Sequence, residues 1–132
     1  MSNRKSIHVE SFSHVNPIPA GCRIGDLFMS GGLHGMDPVT KAIPPTLEEQ
    51  CANMFVQVRN VVEAAGGSID DIIKMTVWLT DPSKREALNA EWLKMFPDEQ
   101  RRPARHTMKN TLDAFLIQCD VTALIGQGKA AG

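Results

Sequence analysis

The run Arg101-Arg102-Pro103-Ala104-Arg105-His106-Thr107 offers chemistry more directly than any other part of this chain. A guanidinium is a planar fork of donors that meets a carboxylate with two parallel hydrogen bonds, which an ammonium cannot do. Arg105 follows the proline and falls inside a segment that reads as a strand, so its charge needs a partner from the fold or from a ligand. On spacing alone the run reads first as a solvated basic connection between a helix and a strand. The four histidines, His8, His14, His34 and His106, show no i, i+4 pairing and read as structural or solvated rather than as metal ligands. Cys22, Cys51 and Cys119 are odd in number and scattered, with no CxxC or Cys/His spacing, so neither a disulfide framework nor a zinc site is signalled. No Ser/His/Asp arrangement, P-loop or GxGxxG is present, and Gly31-Gly32 is too short for a nucleotide fingerprint. No metal or cofactor is implied. Chemistry here must come from backbone groups and a few polar side chains around a small molecule.

The elements that position those groups belong to one domain, residues 1–132. With 132 residues and 42% hydrophobic content, roughly two-thirds of the unfolded surface can be buried, enough for one core without staples. The net charge is −1, from 14 basic and 15 acidic residues, so no global field favours nucleic acid or an anionic membrane. Met1-Ser-Asn-Arg-Lys-Ser leads into no apolar stretch suited to secretion, and no run approaches the ~20 apolar residues needed to span a bilayer. A reducing cytoplasmic setting is the expectation.

Residues 7–12 read as a first strand. Asn16-Pro17-Ile18-Pro19-Ala20-Gly21 is turn chemistry, since proline donates nothing to a ladder. Residues 23–30 read as a hairpin turning at Gly25-Asp26, and residues 31–41 as a glycine-rich loop. Leu47, Cys51, Met54, Phe55, Val58, Val62 and Ala65 recur at three- and four-residue steps, an apolar stripe over five turns. Thr46 with Glu49 forms a capping-box pattern, and Gly66-Gly67 supplies a left-handed stop. Residues 72–80 alternate as a strand. Asp81-Pro82 reads as an N-cap and first helical position, opening a helix to about Phe96 that buries Leu88, Trp92, and Met95 or Phe96. Pro97 ends it. Strands over 104–109 and 115–125 complete the order.

Two strand–helix–strand units predict an α+β domain, a mixed sheet carrying both helices on one face. Its other face has no cover within the chain, which predicts burial against further copies.

Several motifs resemble one family over residues 16–125. They are Phe28-Met29-Ser30-Gly31-Gly32 with Asp37-Pro38 and Thr40, then Gln50, Asn60 and the run from Ala64-Ala65-Gly66-Gly67 to Leu79. Asn89 with Trp92 and Phe96 follows, and Arg102-Pro103-Ala104-Arg105 is the most diagnostic. Together they resemble the RidA/YjgF family of imine/enamine deaminases. The resemblance implies a chorismate-mutase-like homotrimer with three clefts between subunits. It implies hydrolysis of carboxylated enamines or imines of the 2-aminoacrylate type to a 2-keto acid and ammonia. Arg105 would clamp the substrate carboxylate, a last-strand glutamate would handle water, and Gly31 and Asn89 would line the cleft.

Three departures follow. Ile18 stands where the family has a cleft tyrosine, so the pocket loses a hydroxyl and becomes more apolar. Gly32 replaces the glutamine usual after Ser-Gly. The last strand reads Ile117-Gln118-Cys119-Asp120-Val121-Thr122-Ala123, so either Gln118 or Asp120 occupies the catalytic glutamate's position, depending on the preceding turn. A two-residue shift keeps the sheet face, so the two share one. An amide positions water but takes no proton from it. The expected function is therefore an enamine/imine deaminase, on a larger 2-aminomuconate-like substrate if the pocket is wider. The alternative is a non-catalytic keto-acid-binding module, which Gln118 favours. RNA cleavage draws little support from a chain with no tyrosine and no aromatic-basic stripe.

Overall fold

The structure is a computed structural model and describes residues 3–10, 12, 15–111 and 113–129. Its elements run β1 (Lys5–Ile7), β2 (Gly21–Ile24), β3 (Leu27–Ser30), β4 (Leu33–His34), α1 (Leu47–Ala64), β5 (Ile72–Leu79), α2 (Glu86–Met95), β6 (Ala104–Lys109) and β7 (Ile117–Leu124). The strands form one mixed sheet in the order β1-β2-β3-β7-β5-β6, with β4 also paired to β7. β5 and β6 are parallel, joined by α2, while β7 runs antiparallel to β3, β4 and β5. The connection from β4 through α1 to β5 thus brackets β7. The result is the expected α+β domain with both helices on one face.

The α1 stripe is buried as its spacing predicts, with Cys51, Met54, Val58, Val61 and Val62 sealed against Phe28, Met75, Val77, Cys119 and Val121 from the sheet. Thr46 Oγ1 accepts from the Glu49 N–H at 3.2 Å and its hydroxyl donates to the Glu49 carboxylate. Gly66, at φ +92°, ends the helix where an L side chain would be strained. There the Gly66 N–H reaches the Glu63 carbonyl and the Gly67 N–H the Val62 carbonyl, both bonds of the Schellman motif. Arg23 adds a cation at this helix end, donating to the Ala65 carbonyl.

Three expectations are corrected. The first strand is Lys5–Ile7, paired to β2, and the chain beyond it folds back through a lone bridge between Val9 and Phe12. The glycine-rich loop contains β4, whose Leu33 and His34 extend the edge of β7. The second helix starts at Glu86 rather than near Pro82, because Asp81 is spent on a turn. Its Oδ1 accepts from both the N–H and the hydroxyl of Ser83 and its carbonyl from the Lys84 N–H. Leu88, Trp92 and Phe96 are the residues that this helix end buries.

The register sorts side chains by face. Ile117, Cys119, Val121 and Ala123 of β7 point to the helices and are buried, which sends Gln118, Asp120, Thr122 and Leu124 to the outer face. There Leu124 stands opposite Leu27, and Ile24, Leu27, Met29 and Leu124 are all exposed. On β6, Arg105 pairs with the buried Met75 and Thr107 with the buried Val77, so both face the helices. His106 pairs with Thr76 and faces outward.

Candidate functional site

The arginines around Pro103 divide by what they touch. Arg102 donates through Nε to the Phe96 carbonyl at 2.8 Å and through Nη2 to that of Pro97 at 3.2 Å, closing the C-terminal end of α2. Arg101 donates to the Gly128 carbonyl at 3.1 Å. These two do lie in a connection between helix and strand, but they are bonded to backbone carbonyls rather than merely solvated. Arg105 is different. Its Nη2 donates to Asn89 Oδ1 at 2.8 Å, and its Cζ lies 4.9 Å over the Trp92 ring. Its Nη1 is buried without a hydrogen-bond partner. Among the described residues no carboxylate lies within ion-pair distance of it.

Burial pushes the Arg105 pKa down, and the charge of Arg85 pushes it the same way. A guanidinium stays charged regardless. A partly buried ion with one amino group unpaired carries a cost, and an arriving carboxylate would relieve it. Such an arrangement could receive a carboxylate: the amide orients the fork, the indole backs it, and Nη1 remains as a donor.

Gln118 and Asp120 occupy the other side of the sheet. Gln118 stands opposite Trp78 and His34, and Asp120 opposite Thr76. Gly32 has no side chain where the Gln118 amide lies, and a Cβ there would overlap Nε2. The glycine that departs from the family pattern is thus what makes room for the amide. Burial pushes the Asp120 carboxyl above the usual range, with Lys74 opposing. Gly31 donates to the Ala20 carbonyl at 2.9 Å and accepts from the Ser30 hydroxyl at 2.8 Å, so its backbone groups are engaged within the chain. Ile18, two residues before Ala20, has its side chain about half exposed. His14 lies outside the described residues. His34 stacks on Phe115 at 4.0 Å and serves as packing.

The candidate residues therefore fall into two groups on opposite faces of the sheet. Arg105, Asn89 and Trp92 lie between β6 and α2. Gln118, Asp120 and Gly32 lie across the sheet. Sequence reasoning took Trp92 as core and passed over Arg85. The signal was the spacing 85, 89, 92 on α2, one helical stripe that carries a guanidinium, an amide and an indole. Among the described residues no group of His, Cys, Asp and Glu could hold a metal ion, and no helix is long and apolar enough to cross a membrane.

Two helices on one face of a mixed sheet, with a partly buried arginine between sheet and helix, define the class of domain. Within that class, the profile of the family described as Endoribonuclease L-PSP matches residues 10–123, and the chain belongs to this family, also known as RidA/YjgF. The 2-iminobutanoate/2-iminopropanoate deaminase of Salmonella typhimurium is 29% identical over 92 residues, 69% of this chain and 72% of that protein. A crystal structure of Escherichia coli TdcF with bound serine superposes with a TM-score of 0.83 at 26% identity, covering 91% of this chain and 98% of the other. The Escherichia coli YjgF structure gives 0.83 at 25% identity, with coverages of 91% and 98%. Relatives of this chain thus include deaminases of reactive intermediates.

Proposed function

We propose that this protein is a homotrimeric enamine/imine deaminase acting on small carboxylated substrates in clefts between subunits. The observation that carries the reading is Arg105, a partly buried guanidinium whose Nη1 is buried and unpaired, with no carboxylate among the described residues within ion-pair distance. With Arg105 binding the substrate carboxylate, water adds to the imine carbon. The carbon–nitrogen bond then breaks, releasing ammonia and leaving a 2-keto acid. Gln118 positions the water by hydrogen bonding, and Asp120, raised by burial, is the nearby group able to accept its proton. Asn89 orients the clamp, while Ile18 and the Gly31 backbone line the cleft.

Assembly is supported by the two groups of candidate residues on opposite faces and by the exposed outer-face stripe of Ile24, Leu27, Met29 and Leu124. The test is to generate 2-aminoacrylate in situ and follow ammonia and keto-acid release. We expect acceleration by the wild type that Arg105→Ala removes. Activity that survives Arg105→Ala unchanged would sink the proposal. A second reading, a keto-acid-binding module without turnover, rests on Gln118, which cannot serve as a base. Keto-acid binding that requires Arg105, with no hydrolysis at any pH, would favour it.

A further inference from the structure

Arg85 is left over once the fold and the clamp are accounted for. It occupies the N-cap of α2 and makes no side-chain capping bond. A cation is disfavoured at that end of a helix, where the macrodipole is positive. Its Nε donates to the Pro82 carbonyl at 2.8 Å, which fixes the start of the guanidinium and leaves its two amino groups. Among the described residues no carboxylate lies within ion-pair distance of it. Asn89 follows one turn later, its N–H bonded to the Arg85 carbonyl at 2.9 Å, and Asn89 is the residue that orients Arg105. Burial first, and then the charge of Arg85, push the Arg105 pKa down, so the two guanidiniums repel one another. Thr107 shares the face of Arg105, two residues along β6 toward the Arg85 end of the helix. Arg85 is exposed and Arg105 only partly buried, so together they set two cations, one with an unpaired buried Nη1, within reach of a ligand beside a positive helix end.

We infer that Arg85 is a specificity residue that binds a second acid group, so that the preferred substrates are dicarboxylic imines or enamines. Arg105 takes the carboxylate next to the reacting carbon, and Arg85 takes the distal one, roughly a helical turn (about 5–6 Å) along α2. This rests on the reading of Arg105 as the carboxylate clamp and adds the substrate class. The distal contact is a charge-assisted hydrogen bond formed alike in ground and transition states, so it acts on affinity.

The test uses stable keto acids as product probes, 2-oxobutanoate for one carboxylate and 2-oxoglutarate for two, titrated calorimetrically at low salt. Wild type is expected to bind the diacid about ten- to hundredfold tighter, the size of one charge-assisted hydrogen bond. Arg85→Met should bring that ratio close to one, Arg85→Lys should retain part of it, and melting temperatures report that both variants fold. A wild-type ratio near one, or a ratio that survives Arg85→Met, overturns the role of Arg85. If 2-oxobutanoate still binds and Arg105→Ala abolishes it, the clamp stands and only Arg85 falls. If neither acid binds the wild type, the clamp reading falls and takes this one with it.

Discussion

Arg105 Nη2 and Asn89 Oδ1 stand 2.8 Å apart across the gap between β6 and α2, an amide holding a cation without neutralising it. A carboxylate in the same place would do both. Asn89→Asp is therefore expected to raise the melting temperature, because it pairs a partly buried ion, and to weaken keto-acid binding by competing with the ligand. Asn89→Ala removes only the orienting bond, and a loss of about five- to tenfold in affinity is expected from one hydrogen bond. Keto-acid binding as tight in Asn89→Asp as in wild type would contradict the clamp.

The separation of Arg105 from Gln118 and Asp120 by the thickness of the sheet makes a sharper prediction. If each cleft draws Arg105 from one subunit and the β7 residues from the next, two inactive variants can repair each other. Arg105→Ala is unfolded and refolded together with whichever of Gln118→Ala and Asp120→Ala silences the assembly. In an equal mixture roughly a quarter of the interfaces then pair an intact half from each. Activity near a quarter of wild type is expected, against none for either variant alone. No recovery, with mixed assemblies verified by mass spectrometry, would place the whole site within one chain.

Part of this arrangement was legible in the sequence. The apolar spacing from Leu47 to Ala65, with Thr46 and Gly66 as its ends, marked α1 to within a residue. Alternation along β7 put Gln118 and Asp120 on one face whichever of them aligns with the family glutamate. The face of Arg105 was not readable, because β6 takes its register from parallel pairing with β5, a partner 30 residues away along the chain. The start of α2 was misread because Asp81-Pro82 fits a helix N-terminus as well as it fits a turn, and the Ser83 bonds decide for the turn. β4 is two residues long, too short to show alternation.

Gln118 limits the rate if the protein turns over substrate. Gln118→Glu is nearly isosteric and puts an oxygen where Nε2 now meets Gly32, while adding a base on the same face as Asp120. Hydrolysis of an in situ imine is expected to rise on the order of 10²-fold, the lower part of the usual range for general-base catalysis. If Asp120 is the base in the wild type, activity rises with pH through its raised pKa, and Lys74→Met moves that rise to higher pH by removing the charge that opposes the shift. A pH–rate profile unmoved by Lys74→Met excludes Asp120 from proton transfer. No gain in Gln118→Glu would mean that a base at this position does not reach the water.

Asp71 tests the frame that holds β5, the strand against which β6 takes its register. The carboxylate is buried before β5 and accepts from the Ser68 N–H at 3.0 Å and the Gly128 N–H at 2.8 Å, tying the chain after β7 to the turn after α1. Burial raises its pKa, but backbone bonds from Gly126, Gly128 and Ser68, with Lys129 nearby, outweigh it, and the net shift is downward. A carboxyl lowered in the folded state stabilises fully above its unfolded pKa of about 3.9, and the contribution is lost as pH falls through the folded value. Asp71→Ala should therefore cost about 1–3 kcal/mol near neutral pH, because it strands buried N–H groups. Asp71→Asn keeps one acceptor oxygen and cannot be charged, so it should lose less and show a flatter decline below pH 4 than wild type. Urea melts at pH 7 and pH 3 measure both, and equal acid sensitivity in wild type and Asp71→Asn would rule out this carboxylate as a source of the pH dependence.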